Sequence, residues 1–446
     1  MIPAGLWQSR GYGWLLDVAP AGDFTVYDIT QISGVAVDSG PLFEEVFDNV
    51  VCESPSVLRL THRGDVTTYW FDRLGAMPAQ CAGDFASDDA RRNFEVLWRQ
   101  FRENYAFFPL RGVDWEQSYR TFRPRVGANI SREDLWQVFR DLIGPLRDTH
   151  VKISDGPRTL DVTSPIRDRK QKLIETFNAP PWSESRLKYT QVLQQALGDM
   201  FLGGRFRTAS NHMMIYGEIA PAIGYVTLFG EFGHAGTPCA SAALDLPRPR
   251  AEAAPFLADE IAAINASLDE IAIAFADMRA VIVDARLNYG GYDRLALEFA
   301  GLFTDQPRVA YRKKAWTGNG FTSSQDIGVA LRKHTLAHLP VALLTSKQTA
   351  SAGEILVLGM MACPNVTRIG EATLGILSDN LYKPLPIGWE VSLSNEVYEA
   401  PDGALYEAIG IPPEIETPVF DPADVRAGLH IAVQRALEFL RTRLHP

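Results

Sequence analysis

A mixed α/β fold, with an α/β core preceded by a helical subdomain and a small all-β domain, is the class that this sequence predicts. Short runs of β-forming residues separated by turns fill residues 1–80, and apolar residues recur at helical spacing through residues 90–150. Strand and helix patterns then alternate from about residue 220 to residue 420, which is typical of an α/β core. We therefore predict an all-β domain over 1–80, a mainly helical subdomain over 85–205, and an α/β core with a C-terminal helix over 206–446.

The first domain shows strand patterns without a catalytic signature. Asp23–Asp28, Val57–His62 and Val66–Phe71 are typical of strands, and the small, polar stretch 79–89 is typical of a linker. The role of this domain stays open between a packing module and a unit for substrate gating or assembly.

The helical subdomain is predicted from an aromatic stripe. Over Asn93–Phe108, large apolar side chains recur at helical spacing, which favours a buried helix face. Ser131 followed by acidic residues resembles a helix start, and that helix leads into His150. A lone histidine between a helix and a strand is more often structural than catalytic, so His150 needs support from other segments.

The core is predicted from further apolar segments in chain order. We expect a helix around 183–200, a strand over Gly224–Phe229, a helix or helix pair within Pro247–Asp277, strands over Val281–Arg286 and Trp389–Ser394, and an amphipathic helix over Pro422–Leu444. His334 and His338 lie four apart in a stretch that could form a helix, but no glutamate completes a zinc-protease pattern.

Ser351 stands where a nucleophile would stand. Within residues 341–354, a buried-strand pattern is followed by a short polar loop, then by Ser351 at the head of an apolar helix. Free backbone amides and the positive end of the helix dipole gather there, so a hydroxyl could attack a carbonyl while the Ala352 amide holds the oxyanion. The plainer alternative is that Ser351 or Thr349 only caps the helix.

Two further segments carry features of the same kind. Gly290 and Gly291 follow the Val281–Arg286 strand, where adjacent glycines allow a tight turn or a close approach to a ligand. Glu407 lies in a turn-rich stretch after the Trp389–Ser394 strand. Taken singly, the glycines could simply make a turn, and Glu407 could be a surface carboxylate.

Taken in order, these segments resemble the serine peptidase family of the C-terminal-processing (tail-specific) proteases and the core of the tricorn protease. The resemblance covers roughly residues 90–420 and rests on five ordered motifs, which are more specific than any one of them. The motifs are Leu146–His150, Asp284–Gly291, Thr349–Glu354, Gly370–Gly375 and Glu407–Glu414. The resemblance implies a crotonase-like ββα spiral as the catalytic core.

The family has two catalytic styles, and the resemblance favours one of them here. The processing proteases would place a lysine base where this chain has Ile376, and the nearest alternative is Lys383. No convincing PDZ domain is found near 160–215 either. The resemblance therefore implies the tricorn-like branch.

That branch implies a role for each of four residues. Ser351 would be the nucleophile and His150 its base, since imidazole titrates in the right range. Glu407 would orient His150 through the Thr149 hydroxyl, with Asp148 as a rival orienting group that has no such role in the branch. The oxyanion hole would combine the Ala352 amide with an amide of Gly290 or Gly291; which of the two glycines donates stays open at this point.

The chain also departs from the family pattern. Thr149 stands where the best-known tricorn-like tetrad has serine, which keeps the hydroxyl. Ala408 replaces a glycine after the glutamate, and Glu414 replaces the usual aspartate. Because glycine permits conformations that alanine does not, Ala408 bears on how Glu407 is placed.

Composition limits the kinds of binding partner that we expect. The net charge of −11 argues against nucleic acid or an anionic membrane surface, and no apolar run is long enough for a membrane span. The four cysteines show no metal-ligand spacing, so we expect no metal and no cofactor. Cys52 and Cys81 could pair if the protein is exported, but free buried thiols are the favoured alternative. The start lacks a signal-peptide pattern, which predicts a cytoplasmic protein, or an exported one whose signal has been removed.

The sequence thus predicts a serine peptidase that hydrolyses peptides or unfolded polypeptides through an acyl-enzyme. One alternative is a catalytically silent binding protein for a lipophilic ligand or peptide, because the same fold resembles the repeats of the interphotoreceptor retinoid-binding protein. Another is a scaffold or assembly unit with weak turnover. A homo-oligomer stays open.

Overall fold

A computed structural model describes residues 3–40, 47–62, 64–127, 129–161, 186–236, 253–421 and 430–444, with residues 174, 175, 177 and 423. Its mixed α/β architecture confirms the predicted fold class. Several predicted features lie outside the described residues: Cys239, the start of the helix expected within 247–277, and most of 422–429. The first two residues and much of the stretch searched for a PDZ domain lie outside them as well.

The N-terminal part is a seven-stranded antiparallel sheet in the order β4-β3-β2-β1-β7-β6-β5. The strands are β1 Gly5–Ser9, β2 Trp14–Val18, β3 Phe24–Ile29, β4 Gly34–Gly40, β5 Phe47–Ser54, β6 Val57–His62 and β7 Thr68–Leu74. Alternate residues of these strands, such as Trp7, Leu58 and Phe71, are fully buried.

Helices follow the sheet, and side-chain caps fix where the longer ones begin. They are α1 Ala90–Asn104, α2 Phe108–Arg111, α3 Trp115–Phe122 and α4 Arg132–Ile143. The Asp89 carboxylate accepts from the first amides of α1, and the Ser131 hydroxyl accepts from the Asp134 N–H of α4. Phe94, Leu97 and Phe101 of α1 are buried, so the aromatic stripe is a core face.

The central sheet has the order β10-β11-β12-β13-β16-β17-β21 and is parallel from β12 onward. Its strands are β10 Arg207–Ala209, β11 Met214–Ala220, β12 Ile223–Leu228, β13 Ala280–Asp284, β16 Val341–Thr345, β17 Val366–Gly370 and β21 Ile415–Glu416. Because β13 and β16 are parallel neighbours, the loops at their carboxyl ends meet at one edge of the sheet. Gly290 and Ser351 lie on those two loops.

Helices and two smaller sheets complete the fold. The helices are α5 Arg186–Leu202, α6 Ala253–Ala274, α7 Asp293–Ala300, α8 Ala352–Met361 and α9 Ile431–Leu444. The remaining strands are β8 Lys152–Ser154, β9 Thr159–Asp161, β14 Arg308–Ala315, β15 Gln325–Val329, β18 Asn380–Pro384, β19 Glu390–Ser394 and β20 Glu396–Glu399. Pairing of β8 with β19 joins the segment that carries His150 to the core.

The helix considered around His334 and His338 does not form. The Leu336 N–H donates to the Leu302 carbonyl, and the Thr335 hydroxyl lies within hydrogen-bond distance of the Leu302 and Thr304 carbonyls. These bonds to a distant segment hold the stretch as an irregular loop.

Cys52 and Cys81 are unpaired thiols. Among the described helices, none has the length and apolar character needed to cross a membrane.

Candidate active site

Ser351 occupies the turn between β16 and α8. It is the N-cap of α8, and its φ of 55° and ψ of −127° lie in a region that residues other than glycine rarely adopt. Such backbone costs about 1–3 kcal/mol and persists only where the surrounding structure enforces it. Thr349, the other candidate cap, instead donates its hydroxyl to the Ala285 carbonyl at 2.8 Å. The turn therefore presents a partly exposed Ser351 at the head of a buried helix.

Backbone donors surround Ser351. The Ala352 N–H has no hydrogen-bond partner in the described part of the chain. A Cβ on Gly290 would lie 2.7 Å from Ser351 Cβ and 2.9 Å from the Ala352 nitrogen, so Gly290 packs directly on the turn. The Gly290 N–H donates to Asn288 Oδ1 at 2.9 Å. The Gly291 N–H has no such partner among the described residues, and Gly291 is exposed.

Asn288 and Glu231 hold this glycine turn, and neither carried a role in the sequence analysis. Asn288 Nδ2 donates to Glu231 Oε1 at 2.6 Å, and the Asn288 carbonyl accepts from the Ala350 N–H. Glu231 is fully buried, which raises its pKa to about 8, and its Oε2 has no partner in the described residues. Asn288 belongs to the glycine motif, whereas no sequence signal marks Glu231.

Glu354 connects the Ser351 turn to the loop after β17. Its Oε1 accepts from the Thr373 hydroxyl at 2.6 Å and from the Gly375 N–H at 2.8 Å. Its Oε2 accepts from the Ile376 N–H at 2.8 Å and from the Ser351 N–H at 3.3 Å. Burial raises the pKa of Glu354 to about 7, against the lowering effect of these hydrogen bonds.

Glu407 holds the next two amides of the same loop. Its Oε2 accepts from the Leu377 N–H at 2.8 Å and from the Ser378 N–H at 3.1 Å. Its Oε1 accepts from Arg111 Nη2 at 3.1 Å. Glu407 is buried and not a surface carboxylate, and burial is the main reason that its pKa rises to about 8. Ala408, where the family pattern has glycine, takes a φ of 70°.

Asp148 fixes the backbone of His150. Its Oδ1 accepts from the His150 N–H at 2.9 Å, and its Oδ2 accepts from the Tyr105 hydroxyl at 3.0 Å. Arg111 Nη2 lies 3.7 Å from the same Oδ2. Through these contacts Asp148 holds the main chain of His150, and its charge reaches the ring only as a smaller influence on the pKa.

The His150 ring lies beside the loop that Glu354 and Glu407 hold. Burial lowers the pKa of His150 below its ordinary value, and a backbone hydrogen bond with Ser378 opposes that shift. The ring Nδ1 has no hydrogen-bond partner within the described residues, and no hydrogen bond there joins the ring directly to the Ser351 hydroxyl. Catalytic hydrogen bonds often tighten only when substrate binds. Thr149, next to His150, is partly buried.

Lys383 lies in a different environment. Its Nζ pairs with Asp28 Oδ2 on β3 at 2.7 Å and donates to the carbonyl of Tyr12, in the turn between β1 and β2, at 2.5 Å. Ile376, where the processing proteases would have the lysine base, contributes a backbone amide, which donates to Glu354 in the loop beside Ser351. Within the described residues, no group of histidine, cysteine and acidic side chains could hold a metal ion.

Comparisons with known proteins point to one family. Residues 256–417 match the model of peptidase family S41, and residues 87–144 match the tricorn protease C1 domain. A carboxyl-terminal-processing protease of Synechocystis sp. is 26% identical over 163 residues. That match spans 36% of this chain and 36% of the curated relative.

Solved structures share the fold. A candidate peptidase from Parabacteroides merdae superimposes with a TM-score of 0.61 and 22% identity, over 79% of this chain and 97% of the other. Mature CPAF superimposes with a TM-score of 0.51 and 13% identity, over 79% and 95% of the two chains.

Proposed function

We propose that this chain is a serine peptidase that cleaves peptides or unfolded polypeptides through an acyl-enzyme, because residues 256–417 match the model of peptidase family S41. Ser351 is the nucleophile, His150 the general base, and Glu407 with Thr149 the orienting pair. The Ala352 amide and an amide of the Gly290–Gly291 turn form the oxyanion hole.

The strained turn at Ser351 carries the proposal. Ser351 is held at positive φ, next to the Ala352 amide, which is unpaired among the described residues, and in contact with a glycine that leaves no room for a side chain. This arrangement fits acyl transfer better than simple capping, because it presents a hydroxyl beside a free amide donor. Ser351 and Glu354 also form a capping box at the start of α8. Capping alone, however, would need neither the positive φ nor the close contact with Gly290. Gly291 is the stronger second donor, since the Gly290 amide is already engaged by Asn288.

The chemistry follows from these positions. The Ser351 hydroxyl passes its proton to His150 as its oxygen attacks the scissile carbonyl, and the oxyanion hole holds the charge. His150 then gives that proton to the leaving amine as the C–N bond breaks, so the amine departs and the acyl-enzyme remains. His150 next takes a proton from water, which attacks the ester carbonyl. As the bond to Ser351 Oγ breaks, His150 returns the proton to that oxygen and the acid is released. The lowered pKa of His150 keeps its ring neutral and able to accept a proton at pH 7.

Intact-mass labelling with a fluorophosphonate tests the proposal. Wild type and the exposed-site control Ser56→Ala should each gain one adduct, whereas Ser351→Ala and His150→Ala should gain none. With a peptide substrate, Ser351→Ala should lose roughly 10⁶-fold in kcat, as expected for loss of a nucleophile. A folded wild type that forms no adduct and hydrolyses no peptide would contradict the proposal and favour a binding protein of the same fold.

A further inference from the structure

Arg111 reaches the site from the helical subdomain. It ends α2, a four-residue helix closed by Gly112 at a φ of 66°. Its side chain is 9% exposed, so most of it is withdrawn from solvent. Arg111 Nη2 contacts Glu407 Oε1 at 3.1 Å, and Nη1 donates to the Arg147 carbonyl at 3.2 Å.

The charges around Glu407 are unbalanced without this arginine. Asp148 and Glu354 both act on the Glu407 carboxylate as like charges, and the buried Tyr105 phenol faces Asp148. In the described part of the chain, Arg111 makes the ion pair with Glu407. A buried carboxylate among other carboxylates ionises only where an opposite charge compensates it.

The pKa directions agree with this geometry. Burial and the charge of Asp148 raise the pKa of Glu407 to about 8, and Arg111 is the first group that opposes the rise. Arg111 therefore favours the carboxylate form, which is the form that accepts the Leu377 and Ser378 amides.

We infer that Arg111 is a positioning residue of the proposed peptidase: its positive charge raises the ionised fraction of Glu407 and fixes that carboxylate against the loop beside His150, without touching substrate. This inference rests on the proposed function. It assigns the helical subdomain a direct part in the electrostatics of the site, in addition to carrying His150.

The expected effect is a change of pH profile. If Glu407 must be ionised, kcat/KM rises with pH as its carboxyl loses a proton, so the wild-type profile should have a limb near pH 8. Loss of the neighbouring positive charge shifts a carboxyl pKa upward by about 1–3 units. A neutral residue at position 111 should therefore move the limb to higher pH and lower kcat at pH 7 about tenfold or more, with KM little changed.

Two substitutions separate charge from shape. Arg111→Lys keeps the charge and should retain a limb near that of wild type, whereas Arg111→Gln keeps a donor but loses the charge and should shift the limb by at least one unit. Arg123→Met is the matched control, because it removes another ion-paired arginine of the same subdomain, paired with Glu95. Its profile should match that of wild type.

A double variant keeps the inference testable if Arg111→Gln alone fails to fold. Arg111→Gln with Asp148→Asn removes one charge of each sign, and its limb should lie above that of Asp148→Asn alone. An unshifted limb in either comparison, with Ser351-dependent hydrolysis intact, would overturn the inference and leave the proposed function standing. A wild type without Ser351-dependent hydrolysis would overturn the proposed function itself.

Discussion

At the scale of single residues, the proposed site depends on how closely Gly290 approaches the turn that carries Ser351. Gly290 has a φ of 91°, and an added Cβ would lie 2.7 Å from both the Ala350 carbonyl oxygen and Ser351 Cβ. Real Cβ atoms do not approach backbone so closely. Asn288 also restrains the turn, because it accepts hydrogen bonds from the Gly290 and Ala350 amides. Position 290 thus serves two needs that only glycine meets, its backbone conformation and its lack of a side chain.

Gly290→Ala should therefore damage catalysis more than stability. The added methyl displaces Ser351 and the Ala352 amide, and we expect kcat to fall about 10²–10³-fold, the usual loss when an oxyanion donor is misplaced. Gly388→Ala is the matched control, because Gly388 has a φ of 83° with nothing within 4 Å of its added Cβ. Steady-state kinetics and urea unfolding of both variants measure the difference; equal kcat in the two would contradict this account.

Local signals made some of these residues predictable. The head of an apolar helix indicated Ser351 as an N-cap, and adjacent glycines after a strand indicated a turn, because both patterns depend on neighbours in sequence. Arg111 and Glu231 gave no such signal. Their contacts join segments far apart in the chain, so only the fold could reveal them.

At the scale of elements, two buried carboxylates hold one loop. Glu354 accepts the amides of Gly375 and Ile376, and Glu407 accepts those of Leu377 and Ser378. One carboxylate lies on the helix that begins after Ser351, and the other lies 53 residues further along the chain. The loop beside His150 is thereby fixed to the nucleophile turn at one end and to the Arg111 side at the other.

Glu354→Gln should loosen that loop. The amide keeps one acceptor oxygen but brings an N–H₂ group against backbone donors, and a buried unsatisfied group costs about 1–3 kcal/mol. We expect that loss in the free energy of unfolding, together with a fall in kcat of at least about tenfold, since the Ser351 amide loses its acceptor. Glu95→Gln, in the Arg123 ion pair, should lower stability without the loss of kcat. Full activity in Glu354→Gln would show that the loop needs no such anchor.

Roles for His150 and Glu407 could be predicted only through the resemblance, which depends on the order of the motifs along the chain. Neither lies in a segment whose local pattern separates catalysis from structure, and the structure brings them to one loop from the helical subdomain and from beyond β20. By contrast, the stretch around His334 and His338 has helical spacing, yet backbone bonds to Leu302 hold it irregular. Spacing predicts elements well where no distant partner competes for the backbone.

At the scale of the whole molecule, the N-terminal sheet is joined to the active-site region through buried polar contacts. Lys313 Nζ binds Thr67 Oγ1 at 2.6 Å and Glu396 Oε2 at 3.1 Å, and the Tyr12 hydroxyl donates to Glu396 Oε1 at 2.6 Å. The Glu396 N–H in turn donates to Ser378 Oγ at 3.2 Å. These buried contacts connect the sheet to the loop beside His150, as a packing module would, and they leave the gating and assembly alternatives untested.

The pair of Lys383 and Asp28 should be needed for this docking. Both side chains are buried, and Gln100 donates to the second carboxylate oxygen of Asp28 at 3.0 Å. Lys383→Met leaves Asp28 buried without its cation, and removal of one partner of a buried pair costs about 3–5 kcal/mol. Adding Asp28→Asn to Lys383→Met should restore part of that loss, because the uncompensated charge is gone.

Urea unfolding followed by tryptophan fluorescence and by circular dichroism measures this effect. If the sheet and the core unfold together, Lys383→Met lowers a single midpoint seen by both probes, and the double variant recovers part of it. The Arg10→Met control removes an exposed pair with Asp72 and should change stability by less than about 1 kcal/mol. A separate early transition in the wild type, unaffected by Lys383→Met, would mean that the sheet is an independent unit and that the buried pair does not join it to the active-site core.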